Sequence, residues 1–130
     1  MILDTPFLVD VVRGDPAARA LLEAAEAGSE ALRVPAPVVA KFWEAVERAR
    51  APPRDVERAR EILLAAPGVD FTAAHALRAG RILGSLAREG IEMDPFDAMV
   101  AAVAVETDDV LVTRNVREFE RVRGLRLRTY

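Results

Sequence analysis

The chain has 130 residues, 52% of them hydrophobic and 30% charged, a length and balance that suit one domain spanning 1–130 and exclude disordered, collagen-like and coiled chains. Eighteen basic against 21 acidic residues leave a net charge of −3, so the field of the whole molecule does not hold nucleic acid and any polyanion must be held locally. The absence of cysteine excludes disulfides, thiolate metal sites and Cys nucleophiles; with no apolar run of about 18 residues and no basic leader, it points to the cytoplasm and away from membranes.

Met1–Leu3 reads as a short buried strand that stops at Asp4, and Thr5-Pro6 opens a short helix to about Val12. Arg13-Gly14 breaks that helix. Asp15-Pro16 starts the next, which runs to Gly28, and residues 31–34 are a candidate second strand. From Pro37, the residues Val38, Val39, Phe42, Trp43 and Val46 make one wide helical stripe that ends before Pro52-Pro53. A further helix covers about 54–65, and Val69-Asp70-Phe71 predicts a brief strand before a cap at Thr72. The helix that follows carries a stripe of Ala76, Ala79, Leu83 and Leu86 and stops at Gly90. Asp94-Pro95-Phe96-Asp97 is a strong helix start, and 98–105 is apolar on every side, so that helix must be buried. A strand at 110–112, a helix over 115–122 and a last strand at 125–127 complete an alternation that implies a parallel sheet covered on both faces.

The chain has one histidine, His75, in what reads as the exposed first turn of a helix, and it is taken as a solvated surface residue. No GxGxxG, GxxxxGK[ST] or HExxH occurs, which leaves carboxylates to carry chemistry. Asp4 stands at the carboxyl end of a strand, where ligands of parallel sheets bind, and equally where it would cap the helix from Thr5. Asp97 has the same double reading, since Asp94 as N-cap with Asp97 at N3 makes a capping box without any catalysis. Asn115 and Glu118 either cap and support a helix or face a site beyond the strand end.

Three segments carry a resemblance: Met1-Ile2-Leu3-Asp4-Thr5 with Leu8-Val9-Asp10 and Arg13-Gly14; Pro95-Phe96-Asp97-Ala98-Met99-Val100-Ala101-Ala102; and Leu111-Val112-Thr113-Arg114-Asn115 through Val122. In their order and separation the sequence resembles the PIN-domain family, and within it the VapC-like toxin ribonucleases of toxin-antitoxin pairs, nearly end to end. The resemblance implies a three-layer α/β/α fold with a small, mostly parallel sheet, and an endoribonuclease in which acidic residues from separate elements hold Mg²⁺ or Mn²⁺ and a metal-activated water attacks a phosphodiester. Such a cation takes hard oxygen ligands and lowers the pKa of its bound water. Carried over by motif position, Asp4 and Asp97 hold the metal, with Asn115 and Glu118 as further ligands or water positioners. An RNA substrate, a cognate antitoxin and a homodimer are implied with them.

One position departs from the family. After Val34-Pro35-Ala36-Pro37-Val38-Val39-Ala40 the family has Glu, and here stands Lys41, the single lysine beside 17 arginines. Glu44 is no substitute, because at about 100° per residue it points away from the stripe that Lys41 borders. Inactivation, natural or selected in a host that an active toxin would harm, is the favoured reading; a lysine that contacts RNA phosphate is its rival. A catalytically dead PIN scaffold that binds protein or RNA is the alternative function. From Arg114 to the end, six arginines face Glu118 and Glu120, six minus two or +4 in local charge. Arg114, Arg117 and Arg121 fall at helical spacing, so that Arg114 and Arg117 are expected to hold the RNA backbone unless the face is only solvated.

Overall fold

The computed structural model describes residues 1–130. In chain order the elements are β1 (Ile2–Leu3), α1 (Thr5–Arg13), α2 (Pro16–Ala27), β2 (Val34–Pro35), α3 (Ala36–Arg48), α4 (Pro53–Ala65), β3 (Gly68–Val69), α5 (Ala73–Arg88), α6 (Pro95–Glu106), β4 (Val110–Val112), α7 (Val116–Phe119) and β5 (Arg126–Arg128). All strand pairings are parallel: β1 on β4 with Leu3 opposite Val112, β4 on β5 with Leu111 opposite Leu127, and β2 on β3 with Val34 opposite Gly68. A parallel bridge between Ile2 and Arg33 joins the two sets, giving the order β3-β2-β1-β4-β5. The order reverses between β1 and β4, and in open parallel sheets that reversal opens a crevice at the carboxyl ends of the two strands.

The local chemistry explains the helix starts. Asp15 accepts from the N–H groups of Ala17 and Ala18 at 3.0 Å each, with Pro16 at the first helical position, and Asp94 does the same at α6 ahead of Pro95. Gly14 ends α1 at φ 79°, a left-handed conformation that side chains resist. In α6, Ala98 and Val100–Ala104 are buried and Met99 and Val105 partly so, as its all-round apolar sequence requires. Phe7, Phe42 and Phe119 are the largest fully buried side chains. Helix α1 packs on α2, α3 and α4, α5 lies along α6, and α3 reaches both groups. The architecture is the three-layer α/β/α arrangement.

Three local expectations fail. His75 is 8% exposed rather than solvated: its Nδ1 accepts the Thr72 N–H at 3.0 Å while its own N–H donates to Thr72 Oγ1, a capping box, and its ring lies 5.8 Å from that of Phe71. Because His75 turns inward, the buried face of α5 runs through His75, Ala79 and Leu86, and Ala76 is exposed. The helix expected over 115–122 is only Val116–Phe119. Phe119 and Val122 are both buried, and the chain brings them to the same side with a tighter turn in which Val122 N–H donates to the Phe119 carbonyl.

Candidate active site

Asp4 leaves β1 at the crevice and is 4% exposed. It caps a helix and also lines the crevice. Oδ1 accepts the Thr5 N–H at 2.8 Å and so caps α1, while Oδ2 accepts the Thr113 hydroxyl at 2.7 Å. Thr113, just beyond β4, is fully buried, and its Oγ1 also accepts the Asn115 N–H at 3.0 Å. Burial pushes the Asp4 carboxyl above its usual range; the bonds from Thr113 and Thr5 and the charge of Lys41 oppose it.

At α6 the capping box is only half formed. Asp94 Oδ1 accepts from Phe96 and Asp97 N–H at 2.8 and 3.3 Å, and the Asp97 carboxylate is left to face Lys41, whose Nζ stands 3.7 Å from its Oδ1. Asp97 is raised above its usual range as well, first by burial; the ammonium of Lys41 pulls it down and Asp4, Asp94 and Glu118 push it up. Lys41 projects from α3 with its side chain 42% exposed and its Nζ 5.6 Å from the centre of the Phe96 ring. Glu44 is exposed and pairs with Arg48 at 2.8 Å, as its place opposite the apolar stripe predicts.

Asp4, Lys41, Asp97 and Asn115 line one cleft of about 310 Å³, closed on one wall by Asp10 and Arg13 of α1. Asn115 makes no side-chain cap bond to α7, so its amide stays available to the cleft. Glu118 is not in the lining; its carboxylate lies 3.8 Å from Arg121. Two larger hollows, along α5 and between α1, α2 and α4, contain neither Asp4 nor Asp97. Two carboxyls raised by burial at the crevice of the sheet, not size, select the smaller cleft.

The arginine face is not built as the spacing suggested. Arg114 precedes α7 and is held by Asp15 Oδ1 at 2.9 Å and Asp10 Oδ2 at 3.2 Å, with its guanidinium 4.6 Å from the centre of the Tyr130 ring. The Tyr130 hydroxyl donates to Asp10 Oδ2 at 2.8 Å, and burial with that bond pushes it up. Arg117 is exposed and outside the cleft. Residue-by-residue reading missed Thr113, Asp10 and Arg13. Only the last two left a signal: Thr5, Pro6, Val9, Asp10 and Arg13 share one face of α1 at helical spacing and all line the cleft.

Separation of cap from site is testable by urea denaturation. Asp94→Ala should lose about 1 kcal/mol, the worth of an N-cap, whereas Asp97→Asn should change stability by less than about 0.5 kcal/mol, since solvent at the partly exposed Lys41 screens the ion pair and burial already disfavours the Asp97 charge. An equal loss in both variants would return Asp97 to a capping role.

A PIN domain family model matches residues 1–125, and the chain belongs to the PIN domain family. It is 48% identical over 58 residues to the tRNA(fMet)-specific endonuclease VapC of Shigella flexneri, a match covering 45% of this chain and 44% of that protein. The chain thus spans less than half the length of that relative. Over 125 residues it is 28% identical to ribonuclease VapC2 of Haemophilus influenzae, covering 96% of this chain and 93% of the relative. The crystal structure of DNA-bound VapBC from Salmonella typhimurium superposes with a TM-score of 0.88 at 26% identity, over 98% of this chain and 96% of that one. No helix is long and apolar enough to cross a membrane.

Proposed function

We propose that this chain is a VapC-like endoribonuclease toxin whose cleft is addressed to RNA and whose cleavage chemistry is silenced by Lys41. The observation that carries the proposal is the Lys41 ammonium 3.7 Å from Asp97, in the cleft that also contains Asp4. The relatives named as VapC nucleases and the likeness to VapBC support the toxin reading; with it come a cognate antitoxin and a homodimer as partners.

The family's Mg²⁺ or Mn²⁺ can be tested against the donor set. A divalent ion of this kind wants several oxygen ligands near an octahedron. Here no three carboxylate or histidine side chains converge to hold one, each Asp4 oxygen already accepts a hydrogen bond, and a fixed positive charge sits beside Asp97. The residues as they stand do not fit the ion. Asp4, Asp97 and Asn115 are a partial ligand set, and Glu118 acts on it through charge alone. What these residues do in this chain is hold a compact polar cleft at the crevice of the sheet, in which Lys41 offsets Asp97.

The same observation favours a second reading, a scaffold that binds RNA or protein without cutting. Incubating the chain with RNA in Mg²⁺ or Mn²⁺, and separately in EDTA, tests the first reading: binding without cleavage is expected in both. Cleavage by the unaltered chain as fast as by Lys41→Glu would end the silencing proposal.

A further inference from the structure

Only two cations line the cleft, Arg13 and Lys41. Lys41 is engaged by Asp97. Arg13 is exposed and forms no ion pair, although Asp10 sits one helical turn before it, a spacing at which opposite charges usually pair. On its far side Asp10 instead engages the Arg114 guanidinium and the Tyr130 hydroxyl, both through Oδ2. Residues 99 positions and more away in sequence thus satisfy the acids of this wall, Arg114 bridging Asp10 to the α2 cap Asp15, and leave the guanidinium of Arg13 open to the cleft.

We infer that Arg13 is the residue that holds the RNA backbone, and that Arg114 is a positioning residue that keeps Arg13 free by occupying Asp10. The inference rests on the RNA reading above and names the contact within it. Arg13 lies nine residues beyond Asp4, roughly 13 Å along α1 at 1.5 Å per residue, and helical side chains lean toward the N-terminus, here toward Asp4. It therefore meets a phosphodiester flanking the one beside Asp4 and Asp97. A planar guanidinium with two free edges suits two oxygens of such a phosphate. Gly14, left-handed with open space where a Cβ would stand, lets the chain turn away after Arg13 without covering it.

The test is the salt dependence of binding of a single-stranded RNA oligomer in EDTA, read between about 50 and 200 mM salt. For the unaltered chain log Kd should rise with log salt. Arg13→Ala should weaken binding about fivefold and reduce the slope by about 0.7, the contribution of one phosphate contact on a single strand, with the melting temperature unmoved. Arg13→Lys should restore the slope, since it returns the charge, and Arg117→Ala should leave it unchanged. Arg114→Ala should reduce the slope as Arg13→Ala does, and Asp10→Asn in the Arg114→Ala background should restore it by removing the acid that captures Arg13. If the unaltered chain binds and Arg13→Ala matches it in both affinity and slope, the assignment of Arg13 is wrong while the RNA reading stands. If the unaltered chain binds no RNA, the reading itself falls and the assignment with it.

Discussion

Lys41→Glu should bind Mg²⁺ or Mn²⁺ at least about tenfold more tightly than the unaltered chain and should cut RNA in their presence. The substitution changes the charge beside Asp97 by two units at a position where the ammonium now stands 3.7 Å from Oδ1. A unit charge at about 4 Å is worth about 4 kcal/mol at an effective dielectric near 20, and the partial exposure of Lys41 reduces that through solvent screening. A tenfold change in affinity, about 1.4 kcal/mol, is therefore a lower bound. The substitution also supplies the third carboxylate that the present donor set lacks. Toxicity to the expressing cell in the absence of an antitoxin should follow. Isothermal titration with either metal and a cleavage assay on both forms decide the matter; equal cleavage by the two would mean that Lys41 is not a silencing residue.

The same variant has a signature without metal. Lys41 holds down both Asp4 and Asp97, each of which burial raises. Removing the ammonium and adding an acid pushes both carboxyls further up. A carboxyl whose folded pKa exceeds its unfolded value binds more protons when folded, so stability falls as pH rises from the unfolded pKa through the folded one. In EDTA, Lys41→Glu should therefore be less stable at neutral pH than at mildly acid pH, by more than the unaltered chain is. A bound metal should remove the difference by mass action.

Thr113→Val should cost about 2–4 kcal/mol, a large part of a stability that for such domains lies near 5–15 kcal/mol. Valine has nearly the shape of threonine, so packing around the fully buried position changes little. What is lost is a hydroxyl that donates to Asp4 Oδ2 and accepts from the Asn115 N–H. Each group left without a partner in a buried setting costs about 1–3 kcal/mol, more for a charged one. The Thr113 bond lowers the Asp4 pKa, so its removal raises that pKa further. The penalty should thus grow with pH as Asp4 loses its proton and shrink on acidification as Asp4 takes it up. Urea denaturation at several pH values checks this, and a loss under 1 kcal/mol that is flat with pH would mean that the bond does not hold Asp4.

Much of this protein follows from covalent spacing alone. Asp15-Pro16 and Asp94-Pro95 both start helices here, because the acid satisfies free N–H groups and proline has none to satisfy. The unbroken apolar run of α6 has no polar side to offer water and must lie inside. Asp4 sits at the end of a short apolar strand, which a parallel sheet places at its carboxyl edge. The angle to Phe42 and Val46 puts Lys41 at the border of the apolar stripe and Glu44 away from it, and the family resemblance supplied the site that Lys41 borders.

Which groups then meet was decided by packing across long stretches of chain. His75 looked like a first-turn surface residue, and turned inward because its ring nitrogen takes the Thr72 N–H and its face meets Phe71. Arg114 had the spacing of a nucleic-acid contact, yet Asp10, Asp15 and Tyr130 lie within its reach only once α1, α2 and the end of the chain are assembled. The Thr113 hydroxyl finds Asp4 across 109 positions. Helical and strand periods report which side of its own element a residue faces; they do not report the partner on the next element. That partner sets whether a charge is free, paired or buried, and so which of the basic residues is left for RNA.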